Sequence, residues 1–316
     1  MTDLIVTNNS ILDTKSNIDI FICSLGYEKR SISVAQKIYE RSTKKLAIKF
    51  NDRQVHSFES NKKWFQENNF LIVDSSSLYD YIDYLDLLKN VTDEFSKKTV
   101  NIMIDISSMS RPMIANVCFA IRNVNLDCNI DFVYTSAKFI KPESELFPVT
   151  SSAPVIPQLS GWSIEPDEPV TAIIGLGYEY DYAIGAIEQL EPNDIWCFFP
   201  NGIDKKFDSS VRTVNKQLLD VLPSSRIIDY SLTEPMDLYI KLNSLTSGLI
   251  DTSRIIYIPF GPKIFSLICT IASIQREPAV AVWRISGEQC GEPYDHSSID
   301  SIVCLNIRVN SKNGIN

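Results

Sequence analysis

Histidine is nearly missing from this chain: there are two in 316 residues, His56 and His296, far apart in the sequence. That scarcity makes a zinc site improbable to assemble and leaves a His-dependent catalytic triad hard to build. The seven cysteines, an odd count, contain no Cys-x-x-Cys pair. Cys23 and Cys197 fall in predicted strands, Cys118 and Cys269 in predicted helices, which is the usage of small core residues in a reducing compartment. No metal and no cofactor is expected. Positive charge is not in excess either. A formal net charge of −9 argues against broad DNA or RNA binding or attraction to an anionic membrane, while leaving room for a local basic pocket. No apolar run is long enough to span a bilayer, and Met1-Thr2-Asp3-Leu4-Ile5 lacks the basic start of a signal peptide. A cytoplasmic protein is the expectation. A Walker A sequence is absent. Gly175-Leu176-Gly177 supplies two glycines of a dinucleotide fingerprint, but Tyr180 stands where the third belongs.

What the chain does contain is a repeat. Leu25-Gly26-Tyr27-Glu28 returns as Leu176-Gly177-Tyr178-Glu179, each copy just after a short apolar strand. Each half then reaches a second strand–loop–helix junction, Ile104-Asp105-Ile106-Ser107-Ser108-Met109-Ser110-Arg111 and Ile256-Tyr257-Ile258-Pro259-Phe260-Gly261-Pro262-Lys263. Glu28 precedes Asp105 by 77 positions and Glu179 precedes Tyr257 by 78. Matched spacing of two motifs points to a duplicated fold with its functional loops in equivalent places.

Strands and helices alternate in both halves. In the first half, the first strand ends at Cys23 and later ones cover Leu46–Phe50, Phe70–Val73, Val100–Ile106 and Ile130–Tyr134, with helices expected from about Arg30 to Ser42 and after the second, third and fourth strands. The second half repeats the order with Ala172–Gly175, Ile195–Phe199, Arg226–Tyr230, Arg254–Ile258 and Ala279–Ile285. Near-continuous apolar strands of this kind predict parallel sheets covered by helices on both faces. The expected fold is α/β: two tandem Rossmann-like, doubly wound, mostly parallel sheets related by internal duplication. The expected domains are 1–140, a Pro- and Ser-rich linker at 141–169, and 170–316, the last with an extra strand near Ile302–Val309 at the edge of the second sheet.

In such a sheet, strands 1 and 4 are neighbours where the winding reverses, and ligands bind in the crevice outside their carboxyl ends. The first crevice should therefore hold Ser24, Gly26, Tyr27, Glu28, Asp105, Ser107, Ser108, Ser110 and Arg111. The second should hold Gly175, Gly177, Tyr178, Glu179, Gly261, Lys263 and Ser266. Gly26 suits a tight turn or a close approach to a ligand. Free backbone N–H groups at the helix starting near Ser110, with Arg111 beside them, suit phosphate. Each half pairs an acid with a cation, Glu28 with Arg111 and Glu179 with Lys263. Either pair is a ligand contact or a salt bridge across the rim. Asp105 reads first as a turn acceptor, and the two tyrosines as half-buried rings or stacking platforms.

These spacings resemble those of CARF domains, and of SAVED domains, which are thought to be two fused CARF units. The second family motif has the form Asp-x-Thr-Gly-Gly-Thr-Lys-x-Met. Asp105, the hydroxyls of Ser107 and Ser110, the cation Arg111 and Met113 match it, while Ser108 and Met109 stand in place of Gly-Gly. In the second half only Gly261, Lys263 and the apolar Phe265 look similar, with Tyr257 replacing the acid. The resemblance implies a nucleotide-binding sensor or accessory subunit of a bacterial antiviral defence system. Its ligand would be a nucleotide or a cyclic or linear oligonucleotide, and its effector a separate protein encoded nearby. One alternative is a metal-independent ring nuclease or nucleotide hydrolase in the same crevice, with Glu28, Asp105 and Arg111 as catalytic candidates. Another is a non-catalytic protein-interaction subunit of a defence complex.

Overall fold

The structure is a computed structural model, and it describes residues 4–8, 10–14, 16–51, 53–95, 99–141, 149–161, 167–178, 182–287 and 293–311. The chain divides into two units. The first joins Met1–Lys138 to Pro293–Asn316, and the second is Phe139–Glu292.

In the first unit the elements are β1 (Leu4–Thr7), α1 (Ile11–Thr14), β2 (Ile18–Leu25), α2 (Ala35–Ile38), β3 (Ser42–Lys49), α3 (Phe58–Glu67), β4 (Leu71–Asp74), α4 (Tyr81–Thr92), β5 (Val100–Asp105), α5 (Arg111–Asn123) and β6 (Cys128–Ala137). The second unit supplies β7 (Val149–Pro154), β8 (Val170–Gly175), α6 (Tyr182–Leu190), β9 (Asp194–Asn201), α7 (Lys205–Val214), α8 (Lys216–Val221), β10 (Ile227–Ser231), α9 (Pro235–Leu249), β11 (Arg254–Pro259), α10 (Lys263–Ile274) and β12 (Val280–Gly287). The last strand, β13 (Ser298–Val309), belongs to the first unit.

The first sheet runs β1-β13-β6-β5-β2-β3-β4, and the second β10-β9-β8-β11-β12-β7. Within each, five parallel strands keep the order 3-2-1-4-5, so both units are doubly wound in the same sense. Two mostly parallel sheets with the same order, carrying the same motif at the same strand, make this a tandem Rossmann-like α/β chain.

Three expectations need correction. The strand near Ile302–Val309 does not edge the second sheet. It lies in the first, pairing antiparallel with both β6 and β1 (Val303↔Tyr134, Val309↔Leu4). A strand's apolar pattern says that it pairs but not with which partner. The 141–169 stretch is also more than a linker, since β7 within it pairs antiparallel with β12. Finally, the helix expected over 30–42 is a broken run, with 3-10 turns at Lys29–Ile32 and Tyr39–Arg41 around the short α2. The Ser31 hydroxyl accounts for the irregular start. It donates to Ser24 O at 2.6 Å and accepts from Gly26 N–H at 3.0 Å, tying the first turn back to β2.

The cores follow strand alternation. Phe21, Cys23, Leu25 and Met103 pack with Val34, Ile38, Phe58 and Phe65 beneath α2 and α3. In the second unit Ala172, Ile174, Cys197, Phe199 and Ile258 pack with Ala183, Ala186 and Val211 beneath α6 and α7. Among the described residues, no helix is long and apolar enough to cross a membrane.

Candidate functional site

β2 and β5 pair in parallel from Ile20↔Ile102 to Ile22↔Ile104, and their carboxyl ends open at the winding reversal of the first sheet. Two loops meet there. The Gly26–Arg30 loop is held from beneath by Asn61 of α3, a buried side chain that donates to Gly26 O and to Glu28 O, both at 2.9 Å. The 106–110 loop is held by Asp105. Its Oδ1 accepts from Ser107 N–H at 2.9 Å and from the Ser107 hydroxyl at 2.5 Å, and the same hydroxyl accepts from Thr135 N–H at 2.9 Å.

This arrangement assigns Asp105 and Ser107 to the loop's own framework. Ser107 is wholly buried and Asp105 is 2% exposed. Burial pushes the Asp105 carboxyl up to about 6, against the opposing hydrogen bonds from Ser107 and the charge of Arg30. Ser110 is the N-cap of α5 and accepts from Met113 N–H at 3.3 Å, and Arg111 is the first residue of that helix. Tyr27 is half-buried, 6.1 Å from the His56 ring. Burial, and then Glu28, raise its phenol, with Arg53 opposing.

Glu28 does not pair with Arg111. It binds Arg30 Nε, two positions along the same loop, and both side chains are largely buried. Burial disfavours the Arg30 charge, but Glu28, Tyr134 and Asp105 together outweigh it and hold the guanidinium more firmly protonated than usual. A buried guanidinium requires a counter-charge nearby, and Glu28 meets that need locally.

The hydroxyls of Ser24 and Ser108 are different. Both oxygens are buried, and neither has a hydrogen-bond partner. Ser24 lies on the face of β2 opposite Cys23 and Leu25, by alternation, and shares that side with Gly26. A Cβ placed on Gly26 would stand 3.8 Å from Ser108 Cβ and 3.7 Å from Phe50, ordinary contact distances. Nothing in the backbone therefore demands glycine at position 26. A third unpartnered atom, Asn116 Oδ1, sits on α5.

The second crevice is built on the same plan and packed shut. Asn215, at the end of α7, donates to Gly177 O at 3.0 Å, as Asn61 does to Gly26 O. Aligning the repeats places Gly175 opposite Ser24 and Phe265 opposite Met113, and Gly261 faces Gly177 as Ser108 faces Gly26. A Cβ on Gly175 would run into the Phe265 ring, which also stacks on Tyr230 at 5.7 Å and meets Phe198 at 5.4 Å. Gly261 has φ +65°, and a Cβ there would collide with Leu176 O and stand 2.9 Å from Gly177 Cα. The two loops thus touch backbone to backbone. Tyr178 is packed between Phe139 and Phe207, at 6.2 and 4.7 Å. Lys263 begins α10 with its side chain partly exposed, and Glu179 lies outside the described residues. The Ser266 hydroxyl is buried and unpartnered. In the strand register Ile258 stands where Asp105 does, and Tyr257, on the other face of β11, shares a hydrogen bond with the Thr246 hydroxyl at 2.6 Å.

Reading the sequence alone missed Asn61, Asn215 and Arg30. Asn61 and Asn215 follow the two Gly-Tyr-Glu motifs at near-equal distance, a signal that extending the repeat comparison into the following helix would have shown. Among the described residues no cluster of three or more His, Cys, Asp or Glu side chains could hold a metal ion.

Fold and site together define a tandem Rossmann-like α/β protein with one polar and one packed crevice. No protein-family model matches the chain, and no curated protein matches it. Among solved structures it is similar to the cytoplasmic domain of a prokaryotic cation chloride cotransporter. The identity is 10% over 86% of this chain and 97% of that one, and the TM-score of 0.23 is too low to carry an argument.

Proposed function

We propose that the chain is a nucleotide-binding sensor or accessory subunit of a bacterial antiviral defence system, taking a cyclic or linear oligonucleotide at the loops after β2 and β5. The observation that carries ligand binding is the pair of buried, unpartnered hydroxyls on Ser24 and Ser108, at a place where doubly wound sheets bind ligands. The N-terminus of the 13-residue α5 and Arg111 add donors suited to phosphate oxygens. The choice of oligonucleotide rests on the resemblance of the 105–113 segment to the CARF motif. The effector would be a separate protein encoded nearby, in the cytoplasm.

The cleaving alternative is less favoured. Of its candidate bases, Asp105 is buried and committed to Ser107, and Glu28 is paired with Arg30. Titration calorimetry with cyclic di-, tri- and tetranucleotides and their linear forms tests the proposal. Saturable binding, weakened in Ser24→Ala and Ser108→Ala, is the expected result. Absence of heat with every member rejects it, and steady loss of intact ligand without metal would favour the hydrolase.

A further inference from the structure

The chain returns from the second unit along Pro293–Ser298, and this strap lies across the loop that walls the first crevice. Asp295 Oδ1 accepts from Lys29 N–H at 2.7 Å, and its Oδ2 accepts from the Ser57 hydroxyl at 2.8 Å. Ser57 N–H in turn donates to Tyr27 O at 3.1 Å, so one carboxylate grips the loop from two sides. The neighbouring bonds run the same way. Arg30 N–H donates to His296 O at 3.0 Å, His56 Nε2 lies 2.7 Å from Pro293 O, and Ser298 meets Ser33 at 2.9 Å. Beyond the strap, β13 anchors the chain in the sheet beside β6.

The loop residues gripped here are Tyr27, Lys29 and Arg30, and Gly26 is tied to them through Ser31, whose N–H donates to Glu28 O. Bonds from backbone N–H to an ionised carboxylate are among the stronger ones, whereas the Lys29–Asp295 ion pair at 3.5 Å is mostly exposed and adds little. Burial opposes ionisation of Asp295, yet the bonds from Ser57 and Lys29 outweigh it and hold the carboxyl below its usual range.

We propose that Asp295 is the positioning residue of the first crevice, setting the Gly26–Arg30 wall, so that ligand affinity there depends on a residue 266 positions from the backbone it holds. The affinity part of this rests on the ligand-binding reading above. The geometric part does not.

Hydrogen exchange of the full chain tests the geometric part without any ligand. In Asp295→Ala, exchange should rise about tenfold or more at Lys29, Arg30 and Ser31 and also at Gly26, which Asp295 does not touch. Asp295→Asn, which keeps an acceptor oxygen, should restore much of the protection. Asp300→Ala, at an exposed pair with Lys37, is the control and should change none of these amides. Changes confined to 293–298 and Lys29, with Gly26 and Ser31 as in the native chain, would overturn the proposal. Calorimetry with the cyclic oligonucleotides that the native chain binds should then show about tenfold weaker binding in Asp295→Ala, recovered in Asp295→Asn. Undiminished affinity would also overturn it. If the native chain binds none of them, the functional reading fails while the exchange result still decides the role of Asp295.

Discussion

Two crevices occupy equivalent ends of equivalent sheets, and the same Leu-Gly-Tyr-Glu motif enters both. They have gone opposite ways by exchanges of volume and polarity. In the first, Ser24 and Ser108 leave hydroxyls unpaired, and Gly26 has room for a methyl group. In the second, glycine at 175 admits the Phe265 ring, and Gly261, which faces Gly177 as Ser108 faces Gly26, lets the loops meet backbone to backbone. A buried hydroxyl without a partner costs free energy; the polar crevice carries that cost at Ser24 and Ser108, and the packed one at Ser266. An aromatic ring in a closed crevice contributes packing instead. Duplication provided two crevices, and the exchanges leave one polar and fill the other.

The sharpest way to break this comparison is at the glycines. Gly261→Ala combines a positive φ with a collision and should destabilise by about 4 kcal/mol, whereas Gly26→Ala should change stability by about 0.5 kcal/mol or less. Equal losses by urea denaturation would remove the contrast.

Next is Asp105 against Tyr257. The folded carboxyl titrates near 6, above the usual 3.8, so between about pH 4 and 6 the folded state binds more protons than the unfolded one. Its contribution to stability is therefore greatest below pH 4 and falls by up to about 3 kcal/mol as pH rises through 6. Asp105→Asn should flatten that slope in denaturation curves taken at pH 4.5 and 7.5. Burial raises the Tyr257 phenol far from this window, so Tyr257→Phe should leave the slope as it was.

A smaller difference separates the two asparagines. Asn61→Ala removes two bonds to the first loop and should cost about 2 kcal/mol. Asn215→Ala removes one bond to Gly177 and one within its own helix, for about 1 kcal/mol in the second. The smallest stability effects belong to the hydroxyls. Ser24→Ala and Ser108→Ala should leave stability within about 0.5 kcal/mol while weakening ligand about tenfold. Ser266→Ala, in the closed crevice, should alter neither. Ligand weakened as much by Ser266→Ala as by Ser24→Ala would show that both crevices bind.

The strand order and the meeting of the two loops were legible because parallel, doubly buried strands read as apolar runs and the winding rule leaves few arrangements. The partner of Glu28 was not. Comparing the two halves favoured the cross-loop cation Arg111, but the 3-10 turn at Lys29–Ile32 brings Arg30 within reach first. Nor could composition show that Phe265 would occupy the space beside Gly175, since that depends on where α10 enters relative to β8.

The sequence by itself determined the duplication, the five-strand order in each half and the positions of the loops, since these follow from local periodicity and spacing. Only the tertiary structure decided that β13 returns to the first sheet and that Asp295 grips the first loop. It also decided that one crevice stays polar while the other is filled. Those outcomes depend on pairings between segments up to some 300 residues apart and on side-chain volumes that meet only after folding.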